Sequence, residues 1–128
     1  MLVGVPKEIK THEYRVGLVP GSVRELARHG HKVLIETNAG AGIGFGDAAY
    51  EAAGARVVAD AAAVFAEAEM VVKVKEPLAG EYAFFRKDLL LYTYLHLAAE
   101  PELTKQLAQK NVAGVAYETI QLVDGSLP

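Results

Sequence analysis

The sequence predicts an α/β fold: an open, mostly parallel sheet with helices on both faces, Rossmann-like or flavodoxin-like, but lacking the dinucleotide-binding fingerprint. Three observations carry this. Short apolar runs rich in Val, Ile and Leu alternate along the whole chain with segments of helical spacing, the order of βαβ units. The run Leu89–Leu95 shows no polar alternation, as expected of a strand buried on both faces. The 128 residues are 52% hydrophobic, enough apolar surface to offset the entropy of ordering one domain.

The elements follow in order. Leu2–Val5 is a short strand, ended by Pro6, which has no amide hydrogen for a ladder. After the polar stretch Lys7–Arg15, Ser22 and Glu25 have capping-box spacing, with Val23, Leu26 and Ala27 as the apolar face of a helix. Gly30 suits the left-handed residue that stops it. Lys32–Glu36 is the second strand, followed by a glycine-rich stretch to Gly46. Asp47 is expected to cap a helix through Ala53, ended by Gly54 before the strand Arg56–Val58. Asp60 caps a helix over Ala61–Ala68, and Met70–Lys75 reads as the next strand. A helical segment near Glu81–Phe85 precedes Leu89–Leu95. Pro101 fits the first turn of a helix through Gln109, and Asn111–Tyr117 is the last strand.

Composition excludes several classes. A net charge of −3 and a pI near 5.8, without a basic run, argue against nucleic acid or an anionic membrane as partner. Any anion site must be a local concentration of cations. The absence of cysteine removes disulfides, thiol catalysis, iron–sulfur clusters and cysteine zinc sites. Met1–Val5 is too short for the apolar core of a secretory leader. The longest uncharged apolar stretch, Leu89–Ala99, falls short of the ~20 residues of a membrane span. The expectation is a soluble, cytoplasmic protein.

Ligands of open α/β sheets bind outside the carboxyl ends of the strands. Three residues fall there by spacing: Arg15 on the loop after the first strand, Lys75 at the end of the fourth, and His96 after the fifth. An arginine fork holds a carboxylate bidentately, a lysine polarises a carbonyl oxygen, and a histidine passes a proton near neutral pH. The set suits an α-keto or α-amino acid. The plainer reading of the same three is an exposed arginine, a snorkelling lysine and a histidine hydrogen-bonded at a strand end. Tyr92 and Tyr94 share one strand face, with Tyr94 nearer the site. The run Gly40–Gly46 does not fit G-x-G-x-x-G in either register, since Phe45 or Asp47 falls on the last glycine, and reads as a tight structural loop. His29-Gly30-His31 reads as cationic side chains at a helix C-terminus rather than as metal ligands; no metal site is expected.

Several separated motifs resemble the alanine dehydrogenase and pyridine nucleotide transhydrogenase family. They are Gly4-Val5-Pro6-Lys7-Glu8; Glu13-Tyr14-Arg15-Val16 with Pro20, Val23 and Leu26; the Gly40–Tyr50 run; Lys73–Pro77; Tyr94–Ala99; Tyr117-Glu118-Thr119; and Asp124–Pro128. The segments Lys73–Pro77 and Leu95–Ala99 favour the alanine dehydrogenases over the transhydrogenase α subunits, where such a module would be non-catalytic. The sequence departs from the family at His12, where Asn is usual, at Gly17, where Ala is common, and at Val19, where Thr or Ser is usual.

The resemblance implies an N-terminal substrate-binding domain over residues 1–128, or part of one, from an enzyme that interconverts L-alanine with pyruvate and ammonia. It implies that Arg15 and Lys75 hold the substrate carboxylate and carbonyl oxygen, with Tyr94 beside them and His96 as the acid/base. NAD, its glycine motif and an assisting aspartate belong to a second domain not in this chain, so this chain alone is expected to be inactive. A homo-oligomer, a hexamer, is implied as well.

Overall fold

The computed structural model describes residues 1–128. Six strands, β1 (Leu2–Val5), β2 (Lys32–Glu36), β3 (Ala55–Val58), β4 (Met70–Val72), β5 (Leu90–Thr93) and β6 (Ala113–Ala116), form one sheet in the order β3-β2-β1-β4-β5-β6. Every pairing is parallel. Helices α1 (Pro20–Arg28) and α2 (Asp47–Ala53) cover one face, and α3 (Ala61–Glu67) and α4 (Pro101–Gln109) the other. The chain winds outward from β1 to β3, then crosses the sheet through α3 to β4. The strand order therefore reverses between β1 and β4, and a crevice opens there at the carboxyl ends.

Two apolar clusters flank the sheet. Val3, Val5, Val33 and Ile35 meet Val23 of α1 and Tyr50 of α2. On the opposite face Leu34, Val71, Leu89 and Leu91 meet Val64 and Phe65 of α3 and Leu103 and Leu107 of α4. Gly4 lets β1 approach α3: a Cβ there would stand 2.6 Å from the Ala68 Cβ.

Several elements differ from the sequence reading. Helix α1 starts at Pro20, whose missing amide and fixed φ suit the first helical position, so Val19 rather than Ser22 is the N-cap and no side chain caps it. Asp47 is the first residue of α2 and not its cap; Gly46 precedes it. The Asp47 carboxylate instead accepts from Thr37 Oγ1 at 2.6 Å and the Asn38 amide at 2.8 Å, tying the end of β2 to α2. The segment near Glu81–Phe85 is a 3₁₀ turn over Ala79–Phe84. Strand β4 stops at Val72: the Lys73 amide makes one more bond to β5, donating to the Tyr92 carbonyl at 3.1 Å, but the Val74 amide turns to Glu8 Oε1 and the Val74 carbonyl to the Tyr117 hydroxyl.

Nor is Leu89–Leu95 buried on both faces. Leu89, Leu91, Thr93 and Leu95 are buried, whereas Leu90, Tyr92 and Tyr94 are only half-buried, since α1 and α2 pack over β1, β2 and β3. Elsewhere the reading holds. Asp60 accepts from the Ala63 amide at 2.8 Å as the cap of α3, Pro101 opens α4, and Gly30 has φ +80°. No helix is long and apolar enough to cross a membrane.

Candidate functional site

The first wall of the crevice is the loop after β1. Its Glu8 carboxylate is buried and accepts the Val74 amide at 2.7 Å, which joins this loop to the one after β4. Between the loops lies Lys73, only 2% exposed, with its Nζ 2.9 Å from Glu81 Oε1 and 3.4 Å from Glu8 Oε2. Burial pushes the Glu8 carboxyl above its ordinary value even with the Lys73 charge beside it. Lys10 reaches the buried Glu76 from the same loop. Burial alone would raise the Glu76 carboxyl, but the Lys10 hydrogen bond and charge reverse the sign and lower it.

Arg15 lies at the far end of this loop with its side chain 64% exposed. Glu13 fixes it: Arg15 Nε donates to Glu13 Oε1 at 2.8 Å, its Nη2 to Oε2 at 2.6 Å, and its amide to Oε1 at 2.9 Å. The guanidinium hydrogen bonds hold the Glu13 carboxyl down to about 2, and Lys75 adds to the pull. One edge of the guanidinium is thereby used, while Nη1 carries none of these bonds. The clamp presents the cation outward and leaves it capable of taking a further carboxylate.

Lys75, Tyr94 and His96 come from the ends of β4 and β5, which are neighbours. Lys75 Nζ stands 5.0 Å from the centre of the Tyr94 ring, and the Tyr94 and His96 rings are 5.5 Å apart. Tyr117, just past β6, completes the aromatic wall: its ring is 6.3 Å from Tyr94 and its hydroxyl donates to the Val74 carbonyl at 2.6 Å. Burial raises the Tyr117 phenol, while the field of Arg15 pulls it back, which puts Arg15 within electrostatic reach of the wall. Tyr92 packs behind it, 5.7 Å from Tyr117.

The four expected residues do not share one cavity. Arg15 lines a cleft of about 320 Å³ between its own loop and the glycine-rich loop. Tyr94 and His96 line another, of about 380 Å³, with Glu118. Lys75 lines neither. Sequence reasoning gave Glu13 and Glu118 no role. The Glu13-x-Arg15 spacing could have flagged the first, whereas Glu118 lies 22 residues from the amide it holds.

The glycine-rich loop is packed internally. A Cβ on Gly40 would stand 2.5 Å from the Tyr50 hydroxyl, and one on Gly42 2.9 Å from the Tyr14 carbonyl oxygen. These glycines serve close approach within the chain, so the loop does not fit a dinucleotide cradle. His29 caps the C-terminus of α1, with Nδ1 2.9 Å from the Glu25 carbonyl oxygen, and no cluster of three potential metal ligands exists.

With this geometry in view, comparison with known proteins is specific. The chain is 59% identical over 120 residues to the alanine dehydrogenase of Bacillus subtilis (strain 168), covering 94% of this chain and 32% of that relative. A solved L-alanine dehydrogenase superposes on all of it, with a TM-score of 0.97, 57% identity and 35% of that chain covered. A transhydrogenase from Sinorhizobium meliloti superposes on 96% of it, with a TM-score of 0.88, 29% identity and 36% coverage. Both share the fold, and identity separates the two groups. The chain spans about a third of the length of the curated relatives it matches. The model of the family described as alanine dehydrogenase/PNT, N-terminal domain, matches residues 4–128, and the chain belongs to that family.

Proposed function

We propose that residues 1–128 are the substrate-binding part of an NAD-dependent L-alanine dehydrogenase, which interconverts L-alanine with pyruvate and ammonia. Arg15 takes the substrate carboxylate on its outer edge, Lys75 faces the carbonyl or amino-bearing carbon, Tyr94 walls the site, and His96 holds and returns the proton. The carrying observation is the meeting of Lys75, Tyr94 and His96 at adjacent strand ends beside the switch point, with Arg15 presented by Glu13. An anionic keto acid needs a fixed cation for its carboxylate and a proton donor near its carbonyl, and these residue types supply both. NAD supplies the redox chemistry when bound, and the parent protein's remaining residues hold it, since the glycine-rich loop here is filled by its own side chains. The parent enzyme is cytoplasmic and hexameric in this reading.

In the full-length enzyme, His96→Ala lowers turnover by about 10²–10⁴-fold, the range of a lost general acid/base. Arg15→Ala instead acts mainly on the pyruvate KM. Near-normal turnover in the His96 variant refutes the acid/base role. The competing transhydrogenase-type module predicts that pyruvate, titrated by NMR, leaves the Arg15, Lys75 and His96 resonances unmoved.

A further inference from the structure

We propose that Glu118 is the positioning residue for His96, fixing its imidazole through the backbone. This inference rests on His96 being the acid/base. His96 has φ +53°, the left-handed region, which is uncommon for a residue with a Cβ although histidine is among those that visit it most. A contact from outside the turn favours that conformation further. Glu118 lies in the 3₁₀ turn Tyr117–Thr119 that follows β6, the strand paired with β5. Its Oε1 accepts two amides, those of Leu95 and His96, each at 3.0 Å. One carboxylate oxygen thus gathers consecutive N–H groups just where the chain leaves β5 and reverses.

The tether is itself well anchored. The Tyr117 hydroxyl donates to the Val74 carbonyl, and Thr119 Oγ1 donates to the Ala116 carbonyl at 2.9 Å. Past His96 the turn closes through the Ala99 amide, which donates to the His96 carbonyl at 3.0 Å. His96 is exposed and has no side-chain hydrogen bond of its own, so its ring direction follows from its backbone and from Tyr94 beside it. Without the acceptor the φ angle can relax to negative values, and the imidazole swings away from Tyr94 and Lys75. Glu118 is not a catalytic residue in this scheme. It acts through geometry, and what matters is the reach of its oxygen.

Reach and charge can be separated in the full-length enzyme. E118Q keeps an acceptor at the same distance without the charge; E118D keeps the charge but withdraws it by a methylene. The reading expects E118D to lower kcat by about 100-fold, the scale of a misplacement near 1 Å, with the pyruvate KM changed less than about twofold. E118Q should stay within about fivefold of the parent, because its amide oxygen still accepts both N–H groups. Amide exchange in the peptide spanning residues 94–99 should accelerate in E118D and not in E118Q. Equal loss in both variants, or a greater loss in E118Q, assigns the effect to charge and overturns the proposal. So does a loss confined to KM, or parental kcat in E118D. If His96→Ala retains turnover, the acid/base reading fails, whereas the exchange measurement still decides independently whether Glu118 holds this turn.

Discussion

The buried lysine at the switch point gives a sharp test of how the crevice is held. In Lys73→Met, an unbranched apolar side chain replaces a cation whose Nζ lies 2.9 Å from Glu81 and 3.4 Å from Glu8. Both carboxylates are buried, with side chains 2% and 3% exposed, so the variant leaves two acids without their counter-ion. Breaking a buried ion pair from one side costs about 3–5 kcal/mol. A second route gives a similar figure: protonating one carboxyl of ordinary value 4.5 at pH 7 costs about 3.4 kcal/mol, at 1.36 kcal/mol per unit. Burial already raises Glu8 with Lys73 present, so protonation is the easier relaxation there. The sign of the pH dependence follows. In the variant the folded state keeps a proton that the unfolded chain releases above about 4.5, so stability falls as pH rises, by up to about 1.4 kcal/mol per unit. Urea unfolding of the chain, followed by far-ultraviolet circular dichroism at pH 5, 6 and 7, should show a deficit of about 3–5 kcal/mol at pH 7 that shrinks toward pH 5. Adding Glu8→Gln to Lys73→Met should recover part of it at pH 7. A deficit below about 1 kcal/mol at pH 7, or one that does not vary with pH, refutes the reasoning.

Two further outcomes are expected. Val19→Thr places a hydroxyl at the uncapped start of α1, where φ −88° and ψ 162° already suit an N-cap; it should stabilise the chain by about 1 kcal/mol in urea titrations, and no gain would show that the hydroxyl cannot reach the helix amides. The Glu13 carboxyl, held at about 2, should titrate far below an ordinary glutamate when followed by carboxyl ¹³C NMR; its contribution is present in full above about 4.5, declines as pH falls from there and is lost once pH has fallen through about 2, so a midpoint near 4.5 would refute the Arg15 clamp.

The parts of the fold legible in the sequence were those set by local pattern. Apolar runs marked all six strands, Gly30 and Gly54 took the positive φ expected of helix stops, and Asp60 capped α3. Two of the failures share one cause: a partner distant in the chain. Strand β4 ends early because Glu8 and Tyr117 claim the backbone of Val74, and nothing within MVVKVK announces those partners. Asp47 looked like a cap because its local chemistry permits one, yet Thr37 and Asn38 claim it from the end of β2. At α1 two local signals competed, and Pro20 at the first helical position prevailed over the Ser22 capping box. The departures from the family pattern become readable only with backbone angles. His12 has φ +62°, a conformation that asparagine tolerates better, and Gly17 packs so closely that a Cβ would lie 2.5 Å from the Val72 carbonyl oxygen.

The acidic composition and the cationic site are reconciled by where the carboxylates sit. Beside each cation or histidine of the proposed site stands a glutamate bound to backbone amides: Glu13 to Arg15, Glu8 to Val74 next to Lys75, and Glu118 to Leu95 and His96. A carboxylate engaged with N–H groups spends part of its charge on the loop and only part on the neighbouring cation. Only Glu13 touches its cation directly, and it takes the Nε edge, leaving Nη1 for another partner. Net negative charge and an anion site are therefore compatible here because acids that share the lining of the clefts are engaged with loop amides. Exchanging Glu8 or Glu118 for a neutral side chain lacking an acceptor would make the rim more positive and still weaken the site, since the loops would lose the geometry that brings their side chains together.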